Sequence, residues 1–217
     1  MTSRCMRSSS ALFIAAPLAI AAALPMVATG PVPKANVPAA APSAPRAEMT
    51  WQLDPIHCMA VFRIQHMGAG MFWGKFNGVT GTVVYPEDGS SAPVFNVSVA
   101  VDSVDTGTEK LDKTIKGPQF FNAKEWEAIT FVSTGAEKID EKTWKVKGDF
   151  SMHGVTKPIE ALVEMTGLIG NPVQKKAGFE AVFSIKRSDY GMDWGVKNRA
   201  LGDEVRLVIG LEGDWKR

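Results

Sequence analysis

Between Gly148 and Met165 the chain reads GDFSMHGVTKPIEALVEM, and both halves of this stretch alternate. Upstream, Trp144, Val146, Phe150 and Met152 fall on one face and Lys145, Lys147, Asp149 and Ser151 on the other. Downstream, Ile159, Ala161, Val163 and Met165 oppose Glu160 and Glu164, with Leu162 the exception. A period of two marks a strand with one dry and one wet face. His153-Gly154-Val155-Thr156-Lys157-Pro158 joins the halves, with a glycine for the bend and a proline to close it, so the stretch reads as a hairpin.

The same signal recurs along the chain. His57–His66 places Cys58, Ala60, Phe62, Ile64 and His66 on one face. Gly74–Tyr85 reads as a strand ending at the turn Pro86-Glu87-Asp88-Gly89. In Val94–Asp102, Phe95, Val97, Val99 and Val101 share a face, and Ala128–Gly135 offers Ile129 and Phe131. Gly178–Asp189 aligns Phe179, Ala181, Phe183 and Ile185, and Val205–Leu211 aligns Val205, Leu207, Ile209 and Leu211. This gives about eight strands joined by turns, without the spacing of crossover helices. An antiparallel sheet of that size must close or stack, so the expected fold is all-β, with about eight antiparallel strands. One segment differs: Thr108–Lys116 has helical character, with Leu111 and Ile115 four apart and Gly117-Pro118 as a stop. Phe120-Phe121 follows it. This insert is either a lid over one barrel end or a crossover packed outside.

The N-terminus is of another kind. Arg4 and Arg7 precede Ala11–Ala28, an apolar run with small residues near its end, so residues 1–28 read as a cleaved export signal. An uncleaved anchor is the alternative, opposed by Pro17 and Pro25 within the run. Residues 29–49 contain five prolines and little to bury, which describes a linker. The barrel is expected over residues 50–217. Cys5 would leave with the signal, so Cys58 has no internal disulfide partner and packs as a small hydrophobe.

Of 24 basic and 23 acidic residues, Arg4, Arg7, Lys34, Arg46 and Glu48 lie before Met49, leaving a net −2 after it. No basic face is implied, which argues against nucleic acid as a partner. Of the 19 aromatic residues, only Phe13 lies before Met49, so the later part can build a core and line a cavity. Strand geometry keeps His57, Cys58 and His66 from ligating one metal ion unless the strand breaks. His57 and Cys58 point to opposite faces; Cys58 and His66 lie about 27 Å apart at ~3.3 Å per residue. No zinc-protease, serine-hydrolase, phosphate-loop or dinucleotide glycine pattern occurs.

A set of short motifs runs through the chain in order. It comprises Leu53-Asp54-Pro55-Ile56-His57, Phe62 with His66, Ser103-Val104-Asp105-Thr106-Gly107, Phe120-Phe121, Ile129-Thr130-Phe131, Gly148–Pro158 and Arg187-Ser188-Asp189-Tyr190-Gly191-Met192. Together these resemble the YceI family of exported, lipocalin-like proteins, over about Thr50–Trp215. The resemblance implies an eight-stranded barrel with an elongated apolar cavity. It also implies that the cavity binds a polyisoprenoid chain, such as a quinone tail or a prenyl phosphate, in the periplasm. Two departures are visible: Ala128 stands where the family usually has proline, and Phe150-Ser151-Met152 where it more often has Leu-Thr-Ile.

The residues add to this reading. Phe62 and Ile64 lead to His66, and Phe183 and Ile185 lead to Arg187 and Asp189. With Phe95, Val97, Val99, Phe121, Phe131 and Phe150 these are the expected ligand-binding residues. A buried unpaired guanidinium is costly, so Arg187 should sit at a mouth or against a carboxylate. Either Arg187 and His66 meet a phosphate or quinone carbonyl, or Arg187 pairs with Asp189 to pin the turn and His66 is a hydrogen-bonded wall residue. His153 reads as a structural turn residue. The expected function is an exported carrier for an isoprenoid lipid, with no catalytic residue, metal or other cofactor, no stable membrane insertion after cleavage, and monomer or dimer left open. The alternatives are an enzyme using the same cavity and an outer-membrane barrel, the latter opposed by charges on the would-be lipid face.

Overall fold

The computed structural model describes residues 48–171 and 174–216. The export-signal reading lies outside them, as does all of the linker reading but Glu48 and Met49. Among the described residues the chain forms eleven strands. They are β1 (Thr50–Leu53), β2 (Met59–His66), β3 (Gly70–Phe76), β4 (Val79–Val84), β5 (Val94–Ala100), β6 (Val104–Asp105), β7 (Ala128–Lys138), β8 (Thr143–Met152), β9 (Val155–Gly170), β10 (Lys175–Lys186) and β11 (Leu201–Trp215). One helix, α1 (Glu109–Ile115), lies between β6 and β7.

Eight staves are made from these strands. β11 is long enough to pair with β2 over Leu201–Gly210 and with β1 over Gly213–Trp215, so β1 and β2 are two halves of one stave. β3 pairs with β2 and β4 with β1, which makes β3 and β4 the next stave. β5 and β6 pair with β4 and β3 respectively and form the third. β7 to β11 follow as an antiparallel meander, and the β1–β11 and β2–β11 ladders close the barrel. Every antiparallel neighbour is also a sequence neighbour except at the closure, and no sheet edge is left open along most of the wall.

The alternation seen in the sequence is the alternation of burial. Along β8 every second residue from Trp144 to Met152 is buried, while Lys145, Lys147 and Asp149 are exposed. On β9 Ala161 and Val163 are buried and Glu160, Leu162 and Glu164 exposed. Lys147 and Glu160 form a salt bridge at 3.3 Å on the outer surface. That charged exterior is the reverse of a lipid-facing barrel wall. No helix among the described residues is long and apolar enough to cross a membrane.

Two sequence expectations are corrected. Gly74–Tyr85 is not one strand, because the ladder breaks at Asn77-Gly78, where Asn77 N–H donates to the Ser103 carbonyl and the Gly78 carbonyl accepts from Ala100. Nor does the strand beginning near Gly178 run to Asp189. β10 ends at Lys186, and Arg187–Tyr190 is a 3₁₀ turn. In a strand, residues two apart share a face; at three residues per turn they do not.

One end of the barrel is plugged. Trp51, Tyr85, Trp144 and Phe179 are buried, and the Trp51 indole donates to the Tyr85 carbonyl at 2.8 Å. Tyr85 packs edge-on against Trp144 and Phe179, with centroids at 5.6 and 5.8 Å, and Phe179 against Phe95 at 5.4 Å. Such T-shaped pairs add to the burial of rings of roughly 150–250 Å² each. At the other end lie the β2–β3 and β8–β9 turns, the α1 segment and residues 187–200.

Candidate ligand-binding site

The barrel interior holds a cavity in two parts. The wider part, about 460 Å³, lies toward the unplugged end. Its wall takes Phe62, Ile64 and His66 from β2, Phe72 and Phe76 from β3, Phe150 and Met152 from β8, and Ile185 from β10. A narrower part of about 70 Å³ continues toward the plug, lined by Phe95, Val97 and Val99 of β5, Phe131, Ala161, Val163, Ala181, Phe183, Ile209 and Leu211. Phe76, Ile129, Phe150 and Leu207 line both and form the waist between them. The larger volume alone falls in the ~300–1,000 Å³ range of small-molecule sites. From Leu201 to Leu211 the lining of β11 runs at most about 26 Å along the barrel, at ~3.4 Å per residue and a strand tilt of ~40°.

The insert is a lid. Leu111, Thr114 and Ile115 of α1, then Gln119, Phe120 and Phe121, all face the wide chamber. Thr108 occupies the N-cap position without a side-chain capping bond, Lys116 is the C-cap, and Gly117-Pro118 ends the helix, so the aromatic pair arrives directly at the chamber. Phe121 packs edge-on against Phe76 with centroids at 5.4 Å. Phe120 meets Trp194 at 5.4 Å across the opening.

Of the residues expected from sequence, Phe62, Ile64, His66, Phe95, Val97, Val99, Phe121, Phe131, Phe150, Phe183, Ile185 and Arg187 all line the cavity. Asp189 does not. The 3₁₀ turn carries it outward, where it is exposed and lies 3.5 Å from Lys157. Arg187 therefore does not pair with Asp189, and it is not an exposed mouth residue either. It is 3% exposed. Its Nε donates to the Gly202 carbonyl at 2.7 Å and its Nη1 to Met192 at 2.6 Å. Its Nη2 donates to Trp194 at 2.7 Å and to Leu201 at 3.1 Å. Burial pushes its pKa down, against the pull of Asp203 and Asp193. The guanidinium thus ties residues 192–202 to the end of β10 and puts a desolvated positive charge in the chamber wall. His66 is exposed at the rim and makes no side-chain hydrogen bond among the described residues, so it is not the hydrogen-bonded wall residue of the alternative reading.

His153, Asp54 and Cys58 hold the structure instead. His153 takes a positive φ of 53° in the β8–β9 turn, and its Nδ1 donates to the Tyr190 carbonyl at 2.9 Å under the Trp126 ring. Asp54 accepts from Ile56 N–H and from His57 Nδ1. Cys58 is buried, its thiol pKa pushed up by that burial. Asp54, His57 and Glu212 do converge, which the strand argument about His57 missed because residues 54–58 break the stave. Lys176 already supplies the cation there, 2.7 Å from Glu212 and 3.9 Å from Asp54.

Several lining residues carried a signal that went unused. Val205, Leu207, Ile209 and Leu211 shared an apolar face in the sequence and all line the cavity. Gly74 faces Phe62 across the β2–β3 ladder, and a Cβ there would lie 2.3 Å from the Phe62 ring. A glycine inside a strand marks such a close approach. Met192 and Trp194 sit in an irregular loop, where periodicity gives no face.

A family model of the YceI-like domain matches residues 51–213. The chain belongs to the YceI family. A UPF0312 protein of Pectobacterium atrosepticum is 33% identical over 178 residues, 81% of this chain and 90% of that protein. The solved Campylobacter jejuni YceI protein is 26% identical, with a TM-score of 0.64 over 70% of this chain and 90% of its own. A polyisoprenoid binding domain from Saccharophagus degradans, implicated in plant cell wall breakdown, has a TM-score of 0.60 over 76% of this chain and 98% of its own. At 15% identity that last likeness is one of fold alone. Within the family, the eight-staved barrel with an inserted helix is the expected architecture, and this chain has it.

Proposed function

We propose that this YceI-family chain binds the apolar tail of an isoprenoid lipid in its barrel and carries it through the periplasm. The observation that carries the reading is the cavity itself: an aromatic-walled space running from the chamber under the α1 lid toward the aromatic plug, with His66, Thr114, Gln119 and Arg187 at its wide end. Each CH₂ taken from water contributes about 0.8 kcal/mol, so a chain filling both parts needs no further anchoring. The fold likeness to a polyisoprenoid binding domain supports the same ligand class.

The head group stays near the rim. His66, Thr114 and Gln119 offer polar atoms there, and the Arg187 charge in the wall favours an electron-rich end such as a phosphate or a quinone carbonyl. Arg187 acts mainly through its field, since most of its donors are spent on carbonyls. Binding and transport, without turnover, is the activity this arrangement supports.

The test is native mass spectrometry of the exported chain from membrane-rich cells, followed by solvent extraction. A co-purifying prenyl lipid is the expected result. An empty barrel that also ignores added quinone and prenyl phosphate would overturn the proposal.

A further inference from the structure

The carrier reading leaves a physical problem, since a long prenyl chain does not cross water unaided. The rim of the chamber carries the means to meet its source. Met67, Met71, Trp73 and Trp194 are 65%, 50%, 49% and 46% exposed. Met67 lies at the tip of the β2–β3 turn, with φ at 52°, and Met71 and Trp73 alternate with the inward Phe72 on β3. Trp194 closes the patch from the loop after Arg187. A hydrogen bond from Met67 N–H to the Ala200 carbonyl, 3.0 Å, ties turn and loop into one surface.

The charges of these two segments have one dominant sign. Residues 63–75 and 193–200 hold Arg63, Lys75, Lys197 and Arg199 against a single acid, Asp193. Lys75 is paired with Asp105, whereas Arg63, Lys197 and Arg199 make no salt bridge to another described residue. Arg63 instead lies 5.8 Å from the Trp73 ring. Unbranched methionines, amphipathic tryptophans and nearby cations are what a water–lipid boundary selects.

Resting on the carrier reading, we propose that this rim is a docking surface for an anionic lipid bilayer. It sets the chamber opening against the headgroups, so that a prenyl chain passes from bilayer to barrel behind the α1 lid. Each cation near an anionic surface adds roughly fivefold to affinity. The apolar tip supplies the rest.

The test mixes the full chain with phosphatidylcholine–phosphatidylglycerol vesicles carrying brominated acyl chains and reads tryptophan quenching. Two of the six tryptophans, Trp73 and Trp194, lie at the rim, so about a third of the emission should be quenched in the parent. In the variant Met67→Glu/Met71→Glu, neither position lines the cavity, and quenching should fall more than about tenfold as two apolar groups become anions. High salt should weaken the parent alone. Equal quenching of parent and variant overturns the proposal, whatever the N-terminal apolar run contributes to both. So does an unquenched parent, including one whose mass shows a dimer burying the same side chains. Loading of a prenyl probe from detergent is measured separately. Its failure would sink the carrier reading while quenching still decides the docking.

Discussion

Ala181 lines the narrow end of the cavity, opposite Val163 on β9 and Ile209 on β11. Replacing it with leucine places three more carbons into a space of about 70 Å³. That space is worth about two waters at ~30 Å³ each, hence roughly two methylene groups of a bound chain. At about 0.8 kcal/mol per CH₂, their exclusion costs a ligand about 1.6 kcal/mol, or roughly fifteenfold in affinity. The loss should depend on chain length. Prenyl chains long enough to pass the waist at Phe76, Phe150 and Leu207 should weaken by that factor; chains ending in the wide chamber should not change. The assay is titration of one head group on a series of prenyl lengths, with urea unfolding to show that the barrel tolerates the added volume, since overpacking typically costs ~1–3 kcal/mol. A loss that is the same for every length would refute the view that the tail runs toward the plug.

Arg187→Ala leaves four carbonyls, one buried and three partly buried, without their donor and should destabilise the chain by about 3–5 kcal/mol in urea unfolding. Asp189→Asn, by contrast, should leave unfolding within about 0.5 kcal/mol and prenyl binding unchanged, because among the described residues its ion pair is with the half-buried Lys157 at the surface. Phe183→Asp puts an unpaired carboxylate into the apolar wall and should abolish prenyl binding in the same titration. The His57–Asp54 pair gives a pH signature. The hydrogen bond from His57 holds Asp54 below its ordinary 3.8, and Asp54 holds His57 above its ordinary 6.5. Asp54 therefore contributes stability above pH 3.8, lost as pH falls through its lowered value. His57 contributes below pH 6.5, lost as pH rises through its raised value. Thermal melts should show His57→Gln narrowing its gap to the parent outside that window and not inside it.

What the sequence made legible is what repeats. Stave walls with period two can be assigned face by face, so the alternation of Phe95, Val97 and Val99, or of Phe183 and Ile185, already points them toward the interior they line. The α1 segment was legible as a helix from Leu111 and Ile115, but not as a lid. Whether an amphipathic turn packs inside or outside a barrel end depends on where the barrel closes, which is a non-local fact. Arg187 and Asp189 were misjoined for a related reason. Alternation carried to Asp189 runs three residues past Lys186, where β10 ends, into a 3₁₀ turn whose Tyr190 carbonyl accepts from His153. Period two and period three differ only slightly over three residues, and the decisive contact lies 37 residues away in sequence.

The breaks that alternation could not reveal are also what makes room for a ligand. Three adjacent staves interrupt: the first at residues 54–58, the second at Asn77-Gly78, the third at Val101–Ser103. They lie level with one another, since Phe76 pairs with Ala60 and with Val104 just on one side of the interruption, and Val79 pairs with Val99 just on the other. On the plugged side, β1, β4 and β5 pack around fully buried Trp51, Val79 and Val83. On the open side, β2 and β3 turn Phe62, Ile64 and Phe72 toward a chamber more than six times the volume of the narrow end. An unbroken eight-stranded barrel has an interior that side chains fill or that holds one small ligand. A seam of breaks across three staves lets one half keep the filled geometry while the other splays, and the chain between β6 and β7 then roofs the opening. If the seam sets the chamber's width, a substitution that straightens it, such as Asn77→Val to favour continuous strand, should weaken prenyl binding without loosening the aromatic plug. Near-ultraviolet circular dichroism would follow the plug while titration follows the ligand. A loss of both signals together would show that the two halves of the barrel are one packing unit, and that the seam is not an independent joint.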